Sequence, residues 1–182
     1  MAPNQESVNA VQHREILMHK EHVYIGIGSN LGDPVQHVED AFIALGLLEG
    51  TRVLTCSSLY SSKPMGPQDQ PDYINAVSLI ETTLAPDKLL SALQRTEHDF
   101  GRERKGQRWG ARTLDLDILL YGSQTISTPD LTVPHIGMSE REFVLVPLFE
   151  IAQTMVMPDG KPISHWVAKC SLDGLKRLRA SI

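Results

Sequence analysis

Two amphipathic helical stretches, each set between runs of β-forming residues, constrain this chain more than any other feature it has. "HVYIGIGSN" (residues 22–30) opens as a strand of β-branched and aromatic residues and ends in a Gly-Ser-Asn turn. Asp33 and Pro34 then mark a helix start, an acceptor at the cap followed by a preset φ in the first turn. Val35, Val38, Ala41, Phe42 and Leu45 recur at helical spacing as far as Gly46. "TRVLTCSSLYSS" (51–62) reads as a second strand with Val53 and Leu59 toward the core, and "YINAVSLIETT" (73–83) as a third. "APDKLLSALQRTEHDFG" (85–101) is a second helix with Leu89, Leu90, Leu93 and Phe100 inward, and a fourth strand covers 113–121. The order β-α-β-β-α-β predicts an α+β fold with a ferredoxin-like core: an antiparallel sheet with helices packed on one face. Beyond Tyr121 the pattern is less regular. A turn and short helix are expected in "VPHIGMSEREFVLVPLFEIA" and a terminal helix over 166–178, as additional C-terminal elements.

At 182 residues the chain is long enough for one domain with a substantial core and too short for two comfortable ones. The expected division is a short N-terminal extension over 1–22, flexible or a short surface helix, and one domain over 23–182. No apolar run approaches the ~20 residues of a membrane helix, and the first residues contain no secretory apolar stretch. Cys56 and Cys170, with no metal-ligand spacing around them, read as free thiols, and the expected compartment is the cytoplasm. The net charge of −5 argues against a general nucleic-acid binder. Its distribution is uneven. Residues 101–112, "GRERKGQRWGAR", carry a net +4, leaving −9 for the rest. One positive island in an acidic protein points to a single polyanionic ligand.

The strand that follows the island, "TLDLDILLY", contains two carboxylates, which strands disfavour. Alternation resolves the conflict: Leu114, Leu116, Ile118 and Leu120 face the core, while Thr113, Asp115, Asp117 and Leu119 face the other way. A half-exposed strand with two solvated aspartates is one reading. The other is a cation site, because carboxylates on one face repel unless a cation neutralises them. Hard divalent cations such as Mg²⁺ sit between a few carboxylates and substrate phosphates. Arg102, Arg104, Lys105, Arg108 and Arg112 would then clamp phosphate oxygens, Arg bidentately and Lys as a point charge. A solvated charge run remains the plainer alternative. The flanking Gly101 and Gly110 favour a loop that closes on a ligand, as does the Pro-rich loop "KPMGPQDQPDY" (63–73). "GIGSN" is not a nucleotide-binding P-loop, since no Gly-Lys-Ser/Thr follows. His135, beside Arg141, is the one histidine of seven in suggestive company.

"RWGARTLDLDILLYG", "GPQDQPDYINAV" and "VPHIGMSEREFVLVPL", in this order, closely resemble the 6-hydroxymethyl-7,8-dihydropterin pyrophosphokinases of folate biosynthesis, in their free-standing single-domain form. The similarity runs from Tyr24 to Pro158, and its most specific element is Arg112, Asp115 and Asp117 in Arg-x-x-Asp-x-Asp spacing. The resemblance implies a ferredoxin-like fold, a monomer, and Mg²⁺-dependent transfer of the β,γ-pyrophosphate of ATP to the pterin hydroxymethyl group, releasing AMP. It implies catalytic roles for Arg102, Arg112, Asp115 and Asp117, with the two aspartates holding two Mg²⁺ ions. ATP contacts would come from Gln94, Glu97, Arg104, Lys105, Arg108, Ile118, His135 and Arg141. The pterin would be held by Ser62, Met65, Tyr73, Asn75, Trp109 and Phe143: Tyr73 and Phe143 on its two faces, Asn75 on its polar edge. Ile136 stands where an aromatic residue can occur and Asp130 where some members carry Arg. Two other classes stay open. A different Mg²⁺-dependent nucleotide transferase would share the Asp/Arg constellation without needing Tyr73, Asn75 and Phe143. A ferredoxin-like RNA binder would need a basic, aromatic sheet face, which an acidic pair and 5% aromatics do not offer.

Overall fold

The computed structural model describes residues 19–101 and 110–179. Arg102, Arg104, Lys105, Arg108 and Trp109, and the extension as far as residue 18, lie outside the described residues.

β1 (Glu21–Ser29), α1 (Pro34–Gly46), β2 (Thr51–Cys56), β3 (Leu59–Ser62), β4 (Tyr73–Thr82), α2 (Pro86–Asp99) and β5 (Asp115–Tyr121) follow the order read from the sequence, with two strands where one was expected. β1 begins at Glu21, two residues inside the stretch taken as an extension. α1 starts where its signal predicts: Asp33 Oδ1 accepts from Gln36 N–H at 3.1 Å, with Pro34 in the first turn. The sheet order is β5-β1-β4-β3 followed by a last strand, β8 (Lys176–Arg179), with β2 also on β4, and every pairing is antiparallel. A two-residue hairpin of β6 (Ile126–Ser127) and β7 (Thr132–Val133) follows β5. A 3₁₀ turn (Met138–Glu140), α3 (Glu142–Ile151), α4 (Ile163–Val167) and β8 (Lys176–Arg179) complete the described residues.

Three expectations change. The stretch 51–62 is two strands, because Ser57 turns out of the ladder: its hydroxyl accepts from Val77 N–H at 2.9 Å and its own N–H donates to Val77 O at 2.8 Å. The terminal helix over 166–178 is absent. α4 ends at Val167, Gly174 takes a φ of +86°, which favours glycine over any side chain, and Lys176–Arg179 pairs with β3 instead.

The third concerns the faces of the sheet. On one face Val23, Ile25 and Ile27, with Ile74, Ile80, Leu116 and Ile118, pack against Val38 and Leu45 of α1 and Leu89 and Leu93 of α2. Each fully buried leucine here contributes on the order of 2 kcal/mol by leaving water. The opposite face is covered as well. Val77 and Leu119 pack against Leu145 and Leu148 of α3 and Ile163 of α4. A bulge explains why Leu120 misses the face assigned to it. The β1–β5 register shifts between Tyr24 and Ile25, so Leu119 is an extra residue. Leu119 and Leu120 therefore both serve the second cluster, and Tyr121 takes the place in the first.

Candidate active site

α3 and α4 cover only part of the second face. Beside them lies a cavity of about 270 Å³. Its floor is the sheet itself, in two cross-strand rows set by the register. Asp115, Gly28, Asn75 and Tyr60 form one row across β5, β1, β4 and β3, and Asp117, Gly26 and Val77 form the next. Partners in an antiparallel ladder point to the same face. Of these residues Asp115, Asp117 and Asn75 line the cavity, on either side of a strip of β1 that carries no side chain at Gly26 and Gly28. The walls are Ser62, Lys63, Met65, Gly66 and Gln70 on one side and His135, Arg141 and Phe143 on the other, with Tyr73 and Arg112 at the rim.

Every described residue expected at the pterin lines this cavity: Ser62, Met65, Tyr73, Asn75 and Phe143. Arg112, Asp115, Asp117, His135 and Arg141 line it too. Gln94, Glu97 and Ile118 do not. Ile118 points into the first core cluster. Glu97 is 3% exposed, and its Oε1 accepts from Leu116 N–H at 2.8 Å, tying α2 to the start of the aspartate strand.

The polar groups are oriented by bonds that can be followed atom by atom. Asn75 Nδ2 donates to Ser62 Oγ at 2.9 Å and to Tyr60 O at 3.5 Å. That network directs Oδ1, an acceptor, to the Gly28 side. The Arg112 guanidinium is ion-paired with Asp115 and donates through Nε to Gly110 O at 3.2 Å. His135 Nδ1 accepts from Gly137 N–H at 3.1 Å, so a neutral ring carries its proton on Nε2, which lies 3.8 Å from Asp117 Oδ2.

Asn30, unnoticed in the sequence beyond its place in a turn, is 1% exposed and joins two loops. Its Oδ1 accepts from Arg112 N–H at 2.8 Å, while its Nδ2 donates to Gln70 Oε1 and Pro71 O, each at 3.1 Å. Tyr73 hydroxyl adds a second tie, to Gly110 O at 2.9 Å. The Pro-rich loop is braced internally by Lys63 on Asp72 at 2.9 Å and by Gln68 Nε2 on Pro64 O at 2.8 Å.

Asp117 carries the clearest electrostatic signature. Burial, and then the Asp115 carboxylate beside it, push its carboxyl above the usual range, against opposing pulls from His135, Arg141 and Arg112. The carboxylate nonetheless opens onto the cavity, its side chain 43% exposed, so water screens part of this. A cation between the aspartates would relieve the repulsion. Among the described residues no group of three or more His, Cys, Asp or Glu could hold a metal ion. Two carboxylates, with the remaining positions left to water and phosphate, suit Mg²⁺ and not a caged transition metal. Also among the described residues, no helix is long and apolar enough to cross a membrane.

Comparison with known proteins is specific. The family model for 7,8-dihydro-6-hydroxymethylpterin-pyrophosphokinase matches residues 24–153. The 2-amino-4-hydroxy-6-hydroxymethyldihydropteridine pyrophosphokinase of Haemophilus influenzae is 56% identical over 144 residues, which cover 79% of this chain and 89% of that protein. The Pseudomonas aeruginosa enzyme of the same name is 46% identical over 158 residues, covering 87% and 97%. Among solved structures, a Plasmodium falciparum HPPK-DHPS variant crystallised with pteroate superposes with a TM-score of 0.70 at 12% identity, a likeness of fold. The match covers 90% of this chain and 45% of that one, so this chain spans about half the length of the two-part protein.

Proposed function

This chain belongs to the 7,8-dihydro-6-hydroxymethylpterin-pyrophosphokinase family, and we infer from that premise and from the cavity how its residues carry out the reaction. It is an ATP-using, Mg²⁺-dependent enzyme of folate synthesis that transfers pyrophosphate to the hydroxymethyl group of the pterin. The observation that carries the residue assignment is the row Asp115–Gly28–Asn75: an amide able to read a heterocycle and a carboxylate able to hold a metal–phosphate group face one cavity, one strand apart on either side of β1.

Tyr73 and Phe143 grip the flat ring by its faces. Asn75 Oδ1, fixed by Ser62, accepts from an N–H on the ring's polar edge. Held there, the ring directs its hydroxymethyl group along Gly28 toward the aspartates. Asp115 and Asp117 would hold Mg²⁺, two ions in our reading, which when bound would supply a lowered pKa at the hydroxyl and neutralisation of phosphate charge. Arg112 keeps Asp115 oriented and faces the phosphates. His135 Nε2–H and Arg141 stand at the Asp117 side and supply donors to phosphate or ribose oxygens. The hydroxymethyl oxygen forms a bond to the β-phosphorus in line with the departing oxygen. The bond from β-phosphorus to the α,β-bridging oxygen breaks, its electrons leave with AMP, and the hydroxyl proton is lost. Positioning and charge stabilisation supply most of such a barrier reduction. The Arg and Lys residues of the positive island would complete the clamp.

A coupled assay for AMP tests this, with ATP, Mg²⁺ and 6-hydroxymethyl-7,8-dihydropterin and with each left out in turn. AMP that forms only with all three is the expected result. ADP in place of AMP would mean γ-phosphoryl transfer, and no turnover in a folded sample would overturn the assignment.

A further inference from the structure

The turn that ends "GIGSN" is no phosphate loop, yet it grips the backbone that leads into the aspartate strand. Asn30 N–H and Leu31 N–H both donate to Arg112 O, at 3.0 and 3.2 Å. Ser29, fully buried, donates through Oγ to Thr113 O at 2.5 Å. Thr113 stands two residues before Asp115, and its own buried hydroxyl has no hydrogen-bond partner among the described residues, so its side chain adds no tether. A serine hydroxyl has one proton to give. With that proton on Thr113 O, the 3.3 Å contact between Ser29 Oγ and His37 Nδ1 makes Oγ the acceptor and Nδ1 the donor. The imidazole of His37, on the first turns of α1, is fixed by packing as well. Gly32 takes a φ of +67°, and a Cβ there would meet His37 Cε1 at 3.0 Å, so the ring lies where a side chain at 32 would point. Phe100 meets the ring edge-on, centroids 6.2 Å apart. Phe100 is the residue before the positive island and Thr113 the residue after it.

We propose that His37 is a positioning residue for the metal carboxylate Asp115, acting through Ser29: its Nδ1–H turns the Ser29 hydroxyl onto Thr113 O and so fixes where the aspartate strand begins. The inference rests on the function proposed above, in which Asp115 holds Mg²⁺. The opposite tautomer would undo the arrangement, because a lone pair on Nδ1 would compete with Thr113 O for the single serine proton. Linked in one direction, N–H to hydroxyl to carbonyl, the two bonds strengthen each other. His37, Ser29 and Thr113 do not line the cavity, so a substitution at 37 leaves the cavity wall as it is.

The test compares the parent chain with His37→Leu, which removes the donor at similar volume, and His37→Asn, whose amide N–H stands in for Nδ1–H. In the metal-free parent, ¹⁵N NMR at about pH 8.5, where an imidazole is neutral, reads the tautomer. The expected result is a proton on Nδ1 of His37, and a proton on Nε2 would overturn the proposal. AMP-forming turnover is then followed against Mg²⁺ and against pterin. In His37→Leu, kcat is expected to fall and the Mg²⁺ concentration for half-maximal turnover to rise, each by roughly 3- to 10-fold, about the worth of one hydrogen bond. The KM for pterin should stay within about twofold of the parent, and His37→Asn should restore both altered quantities. Parent-like kcat and Mg²⁺ requirement in His37→Leu would overturn the proposal. So would failure of the asparagine to rescue, or a matching rise in the KM for pterin, which would mark general loosening of the fold. If His37→Leu does not fold, the tautomer and the asparagine variant decide. A parent that forms no AMP would instead refute the proposed function, an outcome on which the metal-free tautomer measurement does not depend.

Discussion

Replacing Glu150 by alanine is expected to loosen the edge of the sheet that carries Ser62. Glu150 sits near the end of α3, and its carboxylate takes four hydrogen bonds. Oε1 accepts from Ser58 Oγ at 2.6 Å and from Arg177 Nη2 at 2.9 Å, while Oε2 accepts from Ser58 N–H at 3.1 Å and Tyr60 hydroxyl at 2.8 Å. Arg177 Nε closes the group by donating to Ser58 Oγ at 2.9 Å. Ser58 is 1% exposed and Tyr60 7%, so their donors lose a partner that water cannot fully replace. Each such buried donor costs about 1–3 kcal/mol when unmade, whereas the half-exposed Arg177 contributes well under 1 kcal/mol. These terms are not additive. A loss of about 3 kcal/mol is expected, or roughly 6–12 °C in melting temperature for a chain of this size. The isosteric Glu150→Gln should lose about half as much.

The ionisation state gives an independent check. Burial alone would raise the Glu150 carboxyl, but the Ser58 and Tyr60 hydroxyls, Ser58 N–H and Arg177 outweigh it and hold it below the usual range. A depressed folded pKa contributes stability above the unfolded value of about 4.3, and that contribution is lost as pH falls through the folded value. The gap between parent and Glu150→Gln should therefore narrow in melts below about pH 4. Tyr60 O receives a hydrogen bond from Asn75 Nδ2 at 3.5 Å, so loosening β3 should also raise the KM for pterin a few-fold and leave that for ATP unchanged. A melting temperature for Glu150→Ala within about 2 °C of the parent would refute this reasoning.

Asp115→Ala and Asp117→Ala should each lower Mg²⁺-dependent turnover by 10²-fold or more, with circular dichroism unchanged; near-parent rates in both would remove the metal assignment. Asp117→Asn should abolish activity yet stabilise the metal-free protein by about 0.5 kcal/mol, a small figure because water reaches the carboxylate, since it removes the repulsion from Asp115. Differential scanning in EDTA reads that gain. Burial, and then the bond to Glu150, push the Tyr60 hydroxyl up to about 12. A raised folded pKa contributes stability below the unfolded value near 10 and loses it as pH rises toward 12, so Tyr60→Phe should flatten the alkaline limb of the stability profile.

The core order was legible because each of its signals is local: the Asp33-Pro34 cap, the period of Leu89 and Leu93, and the alternation around Asp115. The site was legible where chemistry is carried by unusual side chains, as in the aspartate pair. Features that depend on long-range pairing were not. Nothing near Leu119 announces a bulge, which exists only relative to β1. Ser57 reads as a strand residue until Val77 is opposite it. The segment after Cys170 holds an Asp-Gly turn that breaks helical periodicity, and its fate as a strand depends on an open edge more than 100 residues earlier. Asn30 and Glu97 were half legible, since polarity marks them but their buried partners do not lie nearby in sequence. Gly28 was seen as part of a failed nucleotide motif. Only the register, with Asn75 on one side and Asp115 on the other, gives it another meaning.

The pairing of β3 with β8 has a consequence for biosynthesis. Tyr60 is opposite Arg177, so β3 is made early and its partner among the last residues described. On the ribosome, β4 can pair with β3 long before β8 emerges, which leaves the outer backbone groups of β3 open to other nascent chains. β3 is short, four residues, and that limits the hazard. A chain arrested before Lys176 would contain both aspartates, the amide and the aromatic pair, yet carry an uncapped sheet edge. Its yield should depend on chaperones far more strongly than that of the finished protein.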